Sequence, residues 1–264
     1  MNRIEETFNR LKEKQAKALI TYLVAGDPDI PSTLEIMQTM VKEGADILEL
    51  GIAFSDPMAE GPSIQRAHER ALEKNTTLED ALDLVKEFRK SDNLTPIVLM
   101  GYMNPFEAMG AEIFCEKANK NGVDGILLVD MPLEESSQFT QSAKEFNIDI
   151  IRLIAPTTTK NRIEKICNNA SGYVYYISVK GITGSSSLDS LDVKDKVNSL
   201  KSKTDIPVVI GFGIKDRSTI MLVKDLADGI VVGSALVDLI SAGKEAVAER
   251  ISVKMKELVG ALKE

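Results

Sequence analysis

Residues 46–62 read Asp-Ile-Leu-Glu-Leu-Gly-Ile-Ala-Phe-Ser-Asp-Pro-Met-Ala-Glu-Gly-Pro, a short apolar run followed by a loop rich in acids, glycine and proline. The run is typical of a parallel strand that is buried on both faces. Glu49 lies inside it, where a carboxylate needs either a partner or a site to face. Asp56 and Glu60 follow in the loop, and parallel α/β proteins carry their chemistry at the C-terminal ends of their strands. The stretch is compatible with a catalytic acid and with a structural ion pair.

The same pattern of a short apolar run followed by helical periodicity recurs along the whole chain. The predicted strands are 18–24, 46–50, 96–100, 123–129, 150–154, 173–177, 207–210 and 228–232, and an extra amphipathic helix over 2–16 precedes them. Strands that alternate with helices predict a parallel sheet. Eight such units in 264 residues favour a closed (β/α)8 TIM barrel over an open doubly wound sheet. No linker or change of composition divides the chain, so residues 1–264 are predicted to form a single α/β domain.

The composition excludes several classes of function. A net charge of −8 argues against nucleic acid or an anionic membrane as the main partner. Cys115 and Cys167 show no metal-ligand spacing and are predicted to be reduced, buried thiols. His68 is the only histidine, so multi-histidine metal sites are excluded, and a solvated or half-buried helical position is expected for it. The chain shows neither a basic-apolar signal pattern nor a run of 18 apolar residues, so a cytoplasmic location is expected.

Glycines at the ends of the late strands form a second signal. Gly211 and Gly213 follow the seventh run, Gly233-Ser234 follows the eighth, and Gly184-Ser185 follows the sixth. Backbone N–H groups at these positions, with a helix N-terminus, are the recurrent phosphate site of such barrels. The chain lacks the glycine motifs of dinucleotide and ATP sites. The two longest strand-to-helix loops are predicted at 51–62 and 178–190, and the serine-rich segment 185–187 is interpreted as a lid.

Three further side chains have competing interpretations. Tyr173 and Tyr175 share one face of the sixth strand, and a packed barrel tyrosine is favoured for Tyr175 unless its hydroxyl reaches the acids. Asp130 ends the fourth strand and is interpreted as a cap rather than as a site acid.

These motifs together resemble the tryptophan synthase alpha chain family. The resemblance rests on Glu-Leu-Gly-Ile-x-Phe-Ser-Asp-Pro-x-Ala-x-Gly-Pro at 49–62, and on related motifs at 22–28, 122–125, 181–184 and 211–214. It implies a lyase on a (β/α)8 barrel that cleaves indole-3-glycerol phosphate to indole and glyceraldehyde 3-phosphate. It also implies no cofactor in this chain. Pyridoxal phosphate is expected only in a partner beta chain, within an alpha2-beta2 complex.

The resemblance also assigns roles to residues. Glu49 is implied as the proton-transferring acid and base, Glu60 as the carboxylate that holds the indole N–H, and Tyr175 as a tyrosine near the same chemistry. The indole pocket is implied at Tyr22, Leu127, Thr183 and Phe212, the phosphate site at Gly184, Gly213, Gly233 and Ser234, and the beta-chain face at Asp56, Asn104 and Pro105.

Two departures from the family pattern concern the acidic loop. Glu60 stands where the family usually has Asp, and Ala53 where it usually has Pro. A longer acid and a less restricted backbone predict a working site with a repositioned loop. The alternatives left open are a stand-alone indole-releasing lyase, a partner subunit that mainly activates a beta chain, and another phosphate-binding barrel such as a sugar-phosphate isomerase.

Overall fold

The computed structural model describes residues 2–177, 187–211 and 213–264, with the backbone alone for 187–192. The strands are β1 (Ala18–Val24), β2 (Ile47–Gly51), β3 (Ile97–Gly101), β4 (Gly125–Leu128), β5 (Asp149–Ile150), β6 (Arg152–Ile154), β7 (Val174–Ile177), β8 (Val208–Gly211) and β9 (Gly229–Val232). The helices are α1 (Arg3–Glu13), α2 (Ile30–Lys42), α3 (Pro62–Glu73), α4 (Leu78–Phe88), α5 (Met103–Met109), α6 (Ala111–Asn121), α7 (Ser137–Glu145), α8 (Lys160–Cys167), α9 (Ser187–Lys201), α10 (Arg217–Val223), α11 (Ser234–Ser241) and α12 (Val247–Lys263), with a 3₁₀ turn at Leu133–Glu135.

The strands form one parallel sheet in the order β5-β4-β3-β2-β1-β9-β8-β7-β6. The two terminal strands of this order, β5 and β6, are consecutive halves of the fifth predicted run. They are separated only by Ile151, whose N–H still donates to the Ile126 carbonyl at 2.9 Å. The chain therefore joins the two ends of the sheet, and the predicted (β/α)8 barrel is confirmed with its fifth strand interrupted at one residue.

Strand β1 lies at the centre of the sheet order, with all seven of its residues buried. It pairs on one side with β2, the next strand in sequence, and on the other side with β9, the last strand. Every position of the predicted run 18–24 belongs to the observed strand. This agreement follows from composition, because a continuous apolar run suits a strand that has neighbours on both edges and cover on both faces.

The interior of the barrel forms its own apolar cluster, distinct from the layer between sheet and helices. Inward-pointing side chains at every second strand position build it, including Ile20, Ile47, Val98, Leu127 and Val209. Helix α1 contributes Ile4, Phe8 and Leu11 to the same cluster. The amphipathic N-terminal helix predicted from the sequence therefore closes one end of the barrel.

A buried carboxylate fixes this closure. Asp124 accepts from the Arg3 guanidinium at 2.7 Å, from the Arg89 guanidinium at 2.8 Å and from the Ile97 backbone N–H at 2.8 Å. One residue at the start of β4 thus holds α1, the end of α4 and β3 together. Burial raises the pKa of Asp124, and the two guanidinium groups oppose this rise.

Arg152 on β6 is a second buried charge. Its burial is offset by neutral hydroxyl groups, whereas that of Asp124 is offset by two guanidinium groups. The Arg152 side chain points away from the barrel interior, and the residue as a whole is only 6% exposed. One guanidinium nitrogen donates to the Ser136 hydroxyl at 2.8 Å and to the Thr140 hydroxyl at 3.2 Å. Within the described residues Nε has no hydrogen-bond partner. Burial accordingly lowers the pKa of Arg152.

The ends of the helices differ from the predictions in places. Helix α9 begins at Ser187, so the predicted loop end at residue 190 is wrong. Helices α5 and α6 are separate elements that meet at Gly110, which adopts φ 88°. No described helix is both long enough and apolar enough to cross a membrane.

Candidate active site

A cavity of about 580 Å³ opens at the C-terminal end of the barrel strands. Seven of the residues singled out in the sequence line it: Tyr22, Glu49, Glu60, Tyr175, Gly213, Gly233 and Ser234. Residues from β1, β2 and β7 therefore meet others from the loops after β2, β8 and β9 around one space. Its remaining walls include Met100, Val129 and Leu153, which come from the ends of three further strand segments.

Glu49 lies at the base of this cavity and is only 1% exposed. The Tyr173 hydroxyl donates to its Oε1 at 2.6 Å, whereas Oε2 has no partner among the described residues. Burial raises the pKa of Glu49 to about 7, the Tyr173 hydrogen bond opposes this rise, and the charge of Glu60 adds to it. A carboxyl group with such a pKa can both donate and accept a proton near neutral pH.

Glu60 lines the same cavity from the loop between β2 and α3. Burial raises its pKa to about 7, against a hydrogen bond from the Tyr102 hydroxyl. The same hydroxyl accepts from the Ala59 backbone N–H at 3.0 Å, and the Gln65 side-chain amide donates to the Glu60 carbonyl at 2.9 Å. Glu60 is therefore held from two sides, by the end of β3 and by the first turn of α3.

Two glycines make room for the tyrosines of the site. A Cβ at Gly51 would overlap the Tyr22 hydroxyl, and a Cβ at Gly211 would overlap the Tyr175 hydroxyl. Burial, with the charges of Glu49 and Glu60, raises the pKa of both tyrosines well above the usual value of 10. Both hydroxyls therefore keep their protons at neutral pH and can act as hydrogen-bond donors.

The glycine-rich side of the cavity has the features of an anion site. Helix α11 begins at Ser234 directly after Gly233, so its N-terminal N–H groups start at the cavity wall. Gly213 adopts φ 77°, a left-handed conformation that glycine takes without strain. Free N–H groups at a helix N-terminus bind phosphate without a cationic side chain.

His68 is buried, which contradicts the solvated or half-buried position expected from the sequence. Its exposed fraction is 2%, because helix α3 packs against the β1 wall and the acidic loop on this side. Its ring nitrogens lie 3.1 Å from the Phe54 backbone nitrogen and 3.3 Å from the Tyr22 hydroxyl oxygen. Burial lowers the pKa of His68 to about 4.

Other expected site residues lie elsewhere. Leu127 is fully buried in the barrel interior and does not line the cavity. Thr183, Gly184, Phe212 and the side chains of the serine-rich segment 185–187 lie outside the described residues.

The remaining predicted residues lie in the loop after β2, in the first turn of α5 and in the turn after β4. Asp56 and Asn104 are exposed and Pro105 is half-buried. Asp130 accepts from the Met103 backbone N–H at 2.7 Å, so it caps the start of α5, as the cap interpretation predicted.

The sequence did not single out Tyr102 or assign Tyr173 a role in the site. Tyr102 follows β3 and stacks on Phe54, with ring centroids 5.3 Å apart, while its hydroxyl reaches the Glu60 loop. Tyr173 was predicted only to share a face with Tyr175. The period-two pattern that places Tyr175 at the cavity also places Tyr173 one layer deeper, and this signal could have paired Tyr173 with Glu49.

Comparison with known proteins gives one family for the whole chain. The family model for the tryptophan synthase alpha chain matches residues 8–264. The tryptophan synthase alpha chain of Burkholderia mallei is 48% identical over 263 residues, which are 100% of this chain and 96% of that protein. The crystal structure of the tryptophan synthase alpha subunit of Legionella pneumophila superposes with a TM-score of 0.92 at 39% identity, covering 100% of this chain and 99% of that one.

A chain from a structure titled as the tryptophan synthase complex of Pyrococcus furiosus has a TM-score of 0.84 at 41% identity, and covers 93% of this chain and 99% of that one. The barrel, the acids at its C-terminal end and the match over nearly every residue agree with one another. The chain belongs to the tryptophan synthase alpha chain family.

Proposed function

We propose that the cavity binds indole-3-glycerol phosphate and that Glu49, Glu60 and Tyr175 carry out its cleavage to indole and glyceraldehyde 3-phosphate. Membership of the family makes the chain a carbon–carbon lyase of tryptophan biosynthesis. One observation gives the main support for assigning these roles to Glu49 and Glu60. Two carboxyl groups, the buried Glu49 and the partly buried Glu60, each with a pKa raised to about 7, line a single cavity, and helix α11 begins at the wall of the same cavity.

Glu49 is suited to both proton transfers of this retro-aldol reaction. The bond between the indole C3 and the side chain breaks after C3 gains a proton, and the adjacent hydroxyl must lose one as its carbonyl forms. The electron pair of the broken bond then returns to the indole ring. A single carboxyl group can give the first proton and take the second. The Tyr173 hydrogen bond occupies Oε1 of Glu49 and leaves Oε2 for the substrate.

Glu60 is suited to stabilising the ring during this step. Protonation at C3 leaves positive charge on the indole nitrogen, and an ionised carboxylate near the N–H lowers the energy of that state. The two acids influence each other, because the charge of Glu60 raises the pKa of Glu49. An ionised Glu60 therefore favours the protonated Glu49 that the reaction needs first.

Tyr175 and the glycine wall complete the proposed binding of substrate. The protonated Tyr175 hydroxyl can donate to an oxygen of the glycerol chain, while the phosphate would take the N–H groups at Gly213, Gly233 and Ser234. The apolar side chains Met100, Val129 and Leu153 offer the surface that an indole ring requires. A volume of about 580 Å³ lies within the usual range for small-molecule sites.

The proposed partner is a tryptophan synthase beta chain that carries the pyridoxal phosphate and uses the indole. The Pyrococcus structures are titled as tryptophan synthase complexes, one of them an alpha2-beta2 complex. On this chain the proposed contact is the surface formed by the exposed Asp56 and Asn104 with the half-buried Pro105. Met58 in the same loop is 84% exposed, and an exposed large apolar side chain beside an active-site mouth is typical of a contact surface. We propose no cofactor for the alpha chain itself and a cytoplasmic location.

The test is indole formation from indole-3-glycerol phosphate by the purified chain, alone and with a beta chain. We expect slow release alone and faster release with the partner. High turnover that a beta chain does not change would favour the stand-alone lyase. Stimulation of the beta chain without any indole release would favour the partner-only subunit and would refute the roles of Glu49 and Glu60.

A further inference from the structure

His68 is placed to act on the site without touching substrate. It lies in the second turn of α3, which begins just after the Glu60 loop, and it does not line the cavity. Its Nδ1 is 3.1 Å from the Phe54 backbone nitrogen in the first half of that loop. Its Nε2 is 3.3 Å from the Tyr22 hydroxyl on β1. One buried ring therefore bridges the loop and the barrel wall.

The chemistry of these two contacts fixes the tautomer. A backbone N–H can only donate, so Nδ1 must be the unprotonated acceptor. The neutral ring then carries its proton on Nε2, which donates to the Tyr22 oxygen. Because burial lowers the pKa of His68 to about 4, the ring stays neutral throughout the neutral range.

The direction of this hydrogen bond also orients Tyr22. Its oxygen accepts from His68, so its own proton must be directed to another acceptor. Tyr22 is in register with Glu49 on the neighbouring strand, and Glu60 and Glu49 are the acids whose charges raise its pKa. The hydroxyl proton is thereby available to the carboxylate side of the cavity.

The contact to Phe54 complements the contact that holds the other half of the loop. Tyr102 accepts from the Ala59 N–H at 3.0 Å, next to Glu60, and its ring stacks on the Phe54 ring. Phe54 is thus held at its backbone by His68 and at its side chain by Tyr102. The loop has anchors at both ends of the segment 54–60.

We propose that His68, in its neutral Nε2-protonated form, is a positioning residue that anchors the Glu60 loop through Phe54 and directs the Tyr22 hydroxyl proton toward the carboxylates. The inference rests on the proposed function for its effect on catalysis, but the hydrogen bonds it requires can be measured without substrate.

The first experiment uses the fact that the chain contains one histidine. The ¹⁵N NMR signals of the imidazole in the full chain are therefore unambiguous. We expect one protonated nitrogen, Nε2, and one unprotonated nitrogen, Nδ1, between about pH 5.5 and pH 8. A ring protonated on Nδ1, or on both nitrogens at neutral pH, would overturn the proposal.

The second experiment separates the two contacts by substitution. His68→Asn places an acceptor oxygen near the position of Nδ1 and keeps the Phe54 bond, whereas His68→Leu removes both bonds. Since a loop displacement of about 1 Å can change a rate by on the order of 10²-fold, we expect His68→Leu to lower kcat by about that factor and His68→Asn to recover most of it. Amide hydrogen exchange at Phe54 should accelerate in the Leu variant and stay slow in the Asn variant.

Tyr22→Phe is the third variant, because it leaves the Phe54 anchor intact. We expect it to lower kcat/KM by roughly 10-fold to 100-fold, the range for losing a hydrogen bond to a charged group, with Phe54 exchange unchanged. Equal loss of activity in His68→Asn and His68→Leu, with unchanged Phe54 exchange in both, would overturn the positioning role. If the wild-type chain forms no indole, the proposed function fails, while the imidazole signals and the exchange at Phe54 still decide the placement of His68.

Discussion

Replacing Glu49 by Gln is expected to abolish cleavage and, above neutral pH, to stabilise the fold. Burial raises the pKa of Glu49 from 4.5 to about 7. The folded chain therefore keeps a proton that the unfolded chain releases between these two values. Stability associated with Glu49 is fully present below pH 4.5 and is lost as the pH rises through 7. Glutamine has no proton to release, and its carbonyl can still accept from the Tyr173 hydroxyl.

The magnitude follows from the size of the shift. A shift from 4.5 to about 7, at about 1.4 kcal/mol per pKa unit, corresponds to about 3 kcal/mol. Glu49→Gln should therefore gain about 3 kcal/mol in free energy of unfolding relative to wild type when the pH is raised from about 4.5 to about 8. Indole release should fall by at least the 10²-fold to 10⁴-fold that general acid–base groups typically contribute.

The assay is urea denaturation of both chains at several pH values, beside indole release under the same conditions. A matched control is Glu87→Gln, because Glu87 is half-exposed in a surface pair with Lys90. The control should stay within about 0.5 kcal/mol of wild type at every pH. A Glu49→Gln difference that is constant across the range would refute the burial argument, and retained cleavage would refute the role in proton transfer.

Three further predictions concern other parts of the structure. Glu60→Ala should lower kcat for indole release by on the order of 10²-fold, measured with saturating substrate, and full activity would contradict the role of Glu60. Gly51→Ala should displace the Tyr22 hydroxyl and lower kcat/KM, and Tyr22→Phe in the same chain should restore part of the structural fit, seen as a recovered melting temperature. Arg152→Met should raise the free energy of unfolding by about 1 kcal/mol or more in urea denaturation, because a buried and incompletely bonded charge is replaced by an apolar side chain of similar length. An unchanged or lower stability would contradict it.

The strands were predictable where composition alone determines them. β1 and β2 are largely apolar runs with a glycine nearby, and their bounds match to within one residue. The interruption at Ile151 was not predictable, because residues 150–154 read as one strand-like run that is apolar except for Arg152.

The site was predictable to the extent that its residues carry unusual local signals. Glu49 is an acid in an apolar run and Glu60 belongs to a distinctive motif, and the structure places both at one cavity. Tyr102 and His68 carry no such signal. Tyr102 accepts a hydrogen bond from the backbone N–H of Ala59, and His68 accepts one from the backbone N–H of Phe54. Both contacts join a side chain to the loop after β2 from a different element, so they depend on tertiary packing alone. Leu127 was assigned by the family resemblance, and its side chain is instead buried in the apolar interior of the barrel.

The two-sided pairing of β1 has a consequence for synthesis on the ribosome. β2 emerges soon after β1 and can cover one edge of it, but β9 is among the last elements to be made. Until then a largely apolar strand has an open row of backbone N–H and C=O groups, which is a template for pairing with other chains. A nascent chain that stalls before residue 229 is therefore prone to aggregate. The barrel can close only after β9 has been synthesised and has left the ribosome.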